Sequence, residues 1–119
     1  MRSGILAVAL LALVACGSAG TAEQFRWTVD CPKSVERGAG FAFTVHATRP
    51  DGSDAEGVAY RYEILWGPSG GSPLKQGGTS GTAQNVHARM AAGPATLVVT
   101  GVDKSGRDVK VAEAAFEVR

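Results

Sequence analysis

Cysteine is scarce in this chain, with Cys16 and Cys31 the only two among 119 residues. No CxxC pair exists, so the sequence offers no dithiol redox motif and no ligand pair of the zinc-ribbon type. Excess charge is also missing. Twelve Lys and Arg stand against eleven Asp and Glu, a formal net charge of +1, and nothing in that balance steers the chain to nucleic acid or to an anionic membrane surface. Long apolar runs are absent too. The longest, residues 5–15 ("ILAVALLALVA"), would span roughly 16 Å as a helix, about half of a bilayer's hydrocarbon core. A transmembrane helix is therefore not expected.

The common catalytic signatures are lacking as well: no GxSxG elbow and no HExxH. "GPSGGSPLKQGG" is rich in glycine but lacks the Gly-Lys-Ser/Thr ending of a phosphate loop, so it reads as a flexible loop. Asp51, Asp54 and Glu56 cluster in one polar segment without EF-hand spacing, which reads as a solvated acidic loop. The expectation is a protein that is not an enzyme, has no cofactor and takes no evident small-molecule substrate.

What is present begins with targeting. Arg2 and the apolar run 5–15 form a signal peptide. Leu13-Val14-Ala15-Cys16 then resembles the lipobox of bacterial lipoproteins. The resemblance implies cleavage before Cys16, a diacylglyceryl thioether on its sulfur and an acyl group on its new amino terminus, because stable anchoring takes more than one acyl chain. It further implies that Cys31 has no intrachain partner. Gly17 stands where an Asp would signal inner-membrane retention, so the resemblance points to the outer membrane in a Gram-negative host. The other reading is cleavage after Ala22 in "GSAGTA", giving a soluble secreted product. Residues 1–15 are thus assigned to the signal peptide, 16–23 to the lipidated cysteine and a tether with an rms reach of about 15 Å, and 24–119 to one domain. Cleavage removes Arg2 and leaves 11 basic against 11 acidic side chains.

That domain reads as strands and turns with no helical period. Glycine is abundant, 16 residues dispersed at turn-like points. Segment 24–30 is a strand ended by Pro32, and Phe25, Trp27, Val29 and Cys31 share one side of it, making Cys31 a small buried hydrophobe. Segment 34–38 adds a short edge piece. In 41–48, Phe41, Phe43, Val45 and Ala47 alternate with Ala42, Thr44, His46 and Thr48. In 58–66, Val58, Tyr60, Tyr62, Ile64 and Trp66 share a face opposite Arg61 and Glu63. A weak edge strand near 74–76 lies between loops 67–73 and 77–82. Segment 83–90 points Val86, Ala88 and Met90 inward, 95–102 is apolar on both faces and central, and 103–107 is a hairpin turn. In 108–118 the apolar parity switches from Val109 and Val111 to Ala112, Ala114, Phe116 and Val118, which predicts a β-bulge near Ala112–Glu113. About seven short strands in roughly a hundred residues give an all-β sandwich.

Two stretches, "FAFTVHATRPDGSDAEGVAYRYEI" and "GTSGTAQNVHARMAAGPATLVVTGVD", resemble the immunoglobulin-like repeats of invasin and intimin adhesins. The resemblance covers about 34–118 and implies an immunoglobulin-like sandwich with an adhesive, protein-binding role. It transfers no catalytic or ligand residues. The function expected is a lipid-anchored structural or binding module of the cell envelope, its partner another envelope or surface protein. Loops 49–57 and 67–82, with Asp51, Asp54, Glu56, Ser69 and Lys75, are its expected contacts, since loops on a rigid scaffold carry function disproportionately. Strand addition to a sheet edge is a second route. Two alternatives stand beside it. Trp27, Trp66, Tyr60 and Tyr62 would form the platform of a carbohydrate-binding module if exposed, although their parity favours the core. His46 and His87, on neighbouring strands and polar parities, would serve a metal-binding accessory protein if they met, but two ligands fall short of a metal site.

Overall fold

The computed structural model describes residues 21–68 and 70–119. The segment read as a signal peptide, Cys16 and Ser69 lie outside the described residues. Among the described residues eight strands form: β1 (Arg26–Asp30), β2 (Ser34–Val35), β3 (Gly40–Thr48), β4 (Ala59–Leu65), β5 (Leu74–Thr79), β6 (Ala83–His87), β7 (Gly93–Val102) and β8 (Asp108–Val118). They make two sheets, one of five strands ordered β2-β8-β7-β4-β5 and one of three ordered β1-β3-β6. The chain is an all-β sandwich, as the alternation in β3 and β4 requires: each sheet has one apolar face, and the two faces bury each other.

The core lies between the sheets. Phe43 and Val45 of β3 face Tyr62 and Ile64 of β4 and Leu97 and Val99 of β7, all of them buried. Aromatic pairs bridge the layers: Phe43 meets Tyr62 edge-on at 4.9 Å between ring centroids, Phe41 meets Phe116 at 5.3 Å, and Trp27 meets Tyr60 at 6.5 Å. Each large apolar side chain so buried contributes about 1.5–3 kcal/mol. β7 is central, as its apolar character demands, with β4 and β8 on either side.

The first segment changes sheets. β1 pairs antiparallel with β3, Pro32 ends it, and β2 then pairs parallel with β8 through Glu117↔Ser34 and Val118↔Val35. Before β1, residues Ala22–Gln24 form a 3-10 turn, so the first strand starts at Arg26 and not at Gln24. The parity switch in β8 is a bulge: Lys110 pairs with Thr100 and Ala112 with Val99, leaving Val111 as the extra residue. It falls one or two residues before the expected place.

Two expectations are corrected. β5 is not a three-residue remnant; it runs through Gly77, Gly78 and Thr79, residues that read as turn formers. Gly78 pairs with Tyr60, and the space for a side chain there is taken, because a Cβ would lie 2.6 Å from the Tyr60 hydroxyl. The second concerns Met90. β6 ends at His87, the inward alternation stops after Ala88, and Met90 is 74% exposed.

Candidate functional site

The sandwich has two ends, and the polar loops divide between them. At one end the first described residues, loop 49–57, turn 80–82 and hairpin 103–107 come together. Ala22 is buried, its carbonyl accepts the Trp27 indole N–H at 3.1 Å, and the Glu23 carboxylate accepts the Lys104 N–H at 3.3 Å. At the other end lie the turns after β4 and β6, with Trp66, Arg89 and Met90. β7 joins the two ends. Its nine steps from Gly93 to Val102 span about 30 Å.

Loop 49–57 is a built structure. Asp51 Oδ1 accepts the backbone N–H of Ser53 at 2.9 Å and its hydroxyl at 2.6 Å; these bonds, the hydroxyl foremost, lower the Asp51 pKa. The Arg49 guanidinium donates to the Asp54 carbonyl at 2.6 Å. Ala55 is buried against Ala47 and Val58. The residue that fixes the loop is Ser80, 1% exposed. Its hydroxyl donates to the Ala55 carbonyl and accepts the Val58 N–H, while its backbone bonds to Val58 and Gly57. Within a string of turn-forming residues, Ser80 carried no sequence signal of this role. Hairpin 103–107 is closed the same way: Asp103 Oδ1 accepts from the Ser105 hydroxyl and from the N–H groups of Ser105 and Arg107, and its pKa is lowered accordingly.

Asp54 and Glu56 join His46 along a cleft of about 110 Å³ beside Gly81. No group of three or more His, Cys, Asp or Glu side chains converges to hold a metal ion among the described residues. Lys75 lies elsewhere, on β5 opposite Glu63, where it borders a groove of about 390 Å³ with Arg61, Gln76, Gly77, Thr100 and Asp108. The five residues expected to share a contact surface are therefore not one surface: three occupy one end, Lys75 lies on the outer face of the larger sheet, and Ser69 is outside the described residues.

The histidines do lie on paired strands and are both exposed. Register keeps them apart. His87 faces Gly40 at the start of β3, and His46 is six residues further along that strand, about 20 Å away. They form no shared site. The four rings expected either as a platform or as core are core. Tyr60, Tyr62 and Trp66 are buried, and Trp27 is half-buried against Tyr60 and Phe25. Burial pushes the Tyr60 phenol up to about 12, with the neighbouring Tyr62 adding to the rise and the Gln84 amide opposing it. Tyr62 is raised by burial too, and its hydroxyl donates to Gln76 at 2.7 Å. Cys31 is half-buried beside the core, and burial, then the nearby Asp30, pushes its thiol up to about 11, which favours the protonated form at neutral pH.

The far end is held by packing. Arg89 lies over the Trp66 ring at 5.2 Å and donates to the Ser72 carbonyl at 3.0 Å, while Trp66 meets Phe116 edge-on at 6.1 Å. Trp66 Nε1 and Arg89 Nε are buried without a hydrogen-bond partner among the described residues.

No protein-family model matches this chain, and no curated protein matches it in sequence.

Proposed function

We propose that the chain is a lipid-anchored, non-enzymatic binding module of the bacterial cell envelope. In this reading an immunoglobulin-like sandwich is held at the membrane through Cys16 and presents a rigid surface to another envelope or surface protein. The lipobox-like Leu13-Val14-Ala15-Cys16 supports the anchor. The observation that carries it against the alternative cleavage concerns Ala22. Processing after Ala22 would remove a residue that is 5% exposed, packs beside Gly101 and accepts the Trp27 indole N–H. Cleavage before Cys16 leaves that contact whole. A secreted product lacking Ala22 would leave the Trp27 indole N–H without its acceptor, at a cost of about 1–3 kcal/mol.

The binding part of the proposal rests on scaffold logic. The sandwich fixes its loops and its β5 edge, and both are routes by which such scaffolds meet proteins. The test of the anchor is the intact mass and membrane partitioning of the natively expressed protein beside Cys16→Ala. A mature chain that begins at Cys16 with added acyl mass, together with a variant that leaves the membrane fraction, is the expected result. A soluble wild type that begins at Glu23 overturns it.

A further inference from the structure

The chain joins the sandwich at a fixed point and on a short lead. Ala22 lies so close to Gly101 that a Cβ there would be 3.0 Å from its own Cβ, and Glu23 accepts the Lys104 N–H. Hairpin 103–107 and the first described residues are thus joined to each other. Phe25 and Arg26 line a groove with Arg49, Pro50 and Gly52, which brings the tip of loop 49–57 to the same end. Between Cys16 and Thr21 there are five residue steps. Fully extended they reach at most about 18 Å, and as a flexible coil about 12 Å rms. The sandwich is longer than its lead, since β7 alone spans about 30 Å. With acyl chains on Cys16, the far end cannot point at the bilayer, because Thr21 would then stand farther from the membrane than the lead extends.

The chemistry of the near end fits a headgroup surface. Its carboxylates Glu23, Asp51 and Asp103 accept hydrogen bonds from neighbouring N–H or hydroxyl groups, while the exposed Asp54 and Glu56 carboxylates accept none among the described residues. The exposed Lys104 and Arg26 side chains form no hydrogen bond or ion pair among the described residues. This end therefore offers free groups of both signs, Lys104 and Arg26 beside Asp54 and Glu56, and the phosphate and ammonium groups of a zwitterionic lipid headgroup are the matching partners. The outer face of the larger sheet carries Arg61, Glu63, Lys75 and Asp108, with Lys110 already paired to Glu113.

We propose that hairpin 103–107, the tip of loop 49–57 and residues 22–26 rest on a phospholipid headgroup surface, with the opposite end, around Trp66, Arg89 and Met90, turned away from it. This rests on the lipidation of Cys16 proposed above. It removes loop 49–57, with Asp51, Asp54 and Glu56, from the surface open to a partner across the envelope.

The native lysines report the orientation. Lys104 sits at the hairpin tip, Lys75 and Lys110 on the outer sheet face, and Lys33 toward the far end, where its carbonyl accepts the Glu117 N–H at 3.0 Å. The natively lipidated protein, in vesicles of phosphatidylethanolamine and phosphatidylglycerol, is treated with a membrane-impermeant amine-acylating reagent. Labelling at each lysine is read by peptide mass spectrometry, relative to Lys33 and beside Cys16→Ala mixed with the same vesicles. The expected result is a fall of at least about threefold in the Lys104 ratio for the acylated protein alone, with Lys75 and Lys110 unchanged. An acylated protein whose Lys104 labels as freely as in solution overturns the orientation and leaves the anchor standing. Protection of Lys75 and Lys110 along with Lys104 also overturns it, in favour of a domain lying on its side. Absence of acyl mass on Cys16 removes the anchor and the orientation together.

Discussion

The two ends of the sandwich are closed by different physics. At the end where the chain enters, side-chain oxygens do the work. Ser80 ties turn 80–82 to loop 49–57, Asp51 and Asp103 each close a turn on their own backbone, and small residues, Ala47, Ala55 and Val58, fill the space beneath. At the far end large side chains do it, with Trp66 held between Phe116 and Arg89. Hydrogen bonds fix geometry and contribute about 1 kcal/mol each net; buried rings contribute more energy and less directional constraint. The near end is therefore the more precisely shaped, and the far end depends on the integrity of one ring.

Trp66→Ala should give the largest effect, about 3–5 kcal/mol of lost stability, read as a lower urea midpoint. It should be accompanied by loosening of the turns after β4 and β6 with the near end unchanged, as amide exchange would show. If the near-end amides lose protection equally, the two ends are one cooperative unit and the contrast fails. Ser80→Ala should cost less, about 1–3 kcal/mol, because it leaves the Ala55 carbonyl and the Val58 N–H without their side-chain partner while the Ser80 backbone bonds survive. Its signature is local: faster exchange of the Val58 amide. A variant as stable as the wild type would mean that water replaces the hydroxyl.

The smallest effect is a pH dependence confined to the near end. The Asp103 and Asp51 pKa values are lowered, so the ionised forms are favoured in the folded state. Their stabilisation is fully present above the ordinary aspartate value of about 3.9 and is lost as pH falls through the lowered folded values. The Ser105 and Arg107 amide resonances should accordingly titrate with a midpoint under that ordinary value. A midpoint at or above it removes the Asp103 turn bonds from the account.

Much of the fold was legible because alternation is a strong signal. β3 and β4 carry period-two patterns that fix which residues meet in the core, and the parity switch in β8 announces a bulge since one extra residue is the simplest way to reverse a face. What stayed hidden involves partners far along the chain. Gly77 and Gly78 look like turn residues until Tyr60 is placed against them. Ser80 looks like any turn serine until residue 55 arrives beneath it. His46 and His87 are on adjacent strands, as expected, but their separation is a matter of register, set by how β3 and β6 align and by nothing local to either histidine. Alternation on the apolar side carries the inward pattern of 83–90 one step too far, to Met90, because the sequence does not mark where β6 leaves the sheet.

The parallel pairing of β2 with β8 has a mechanical consequence. Lys33, Val35 and Arg37 exchange backbone bonds with Glu117 and Arg119, so an early strand and the last described strand are laced side by side, while β1 is laced to β3. Thr21 lies at one end of the sandwich and Arg119 at the other. A pull between them runs along the strands and loads these ladders in shear, many bonds together, where a pull across a hairpin would part them one by one. Resistance to such a load is governed by the unfolding rate more than by equilibrium stability.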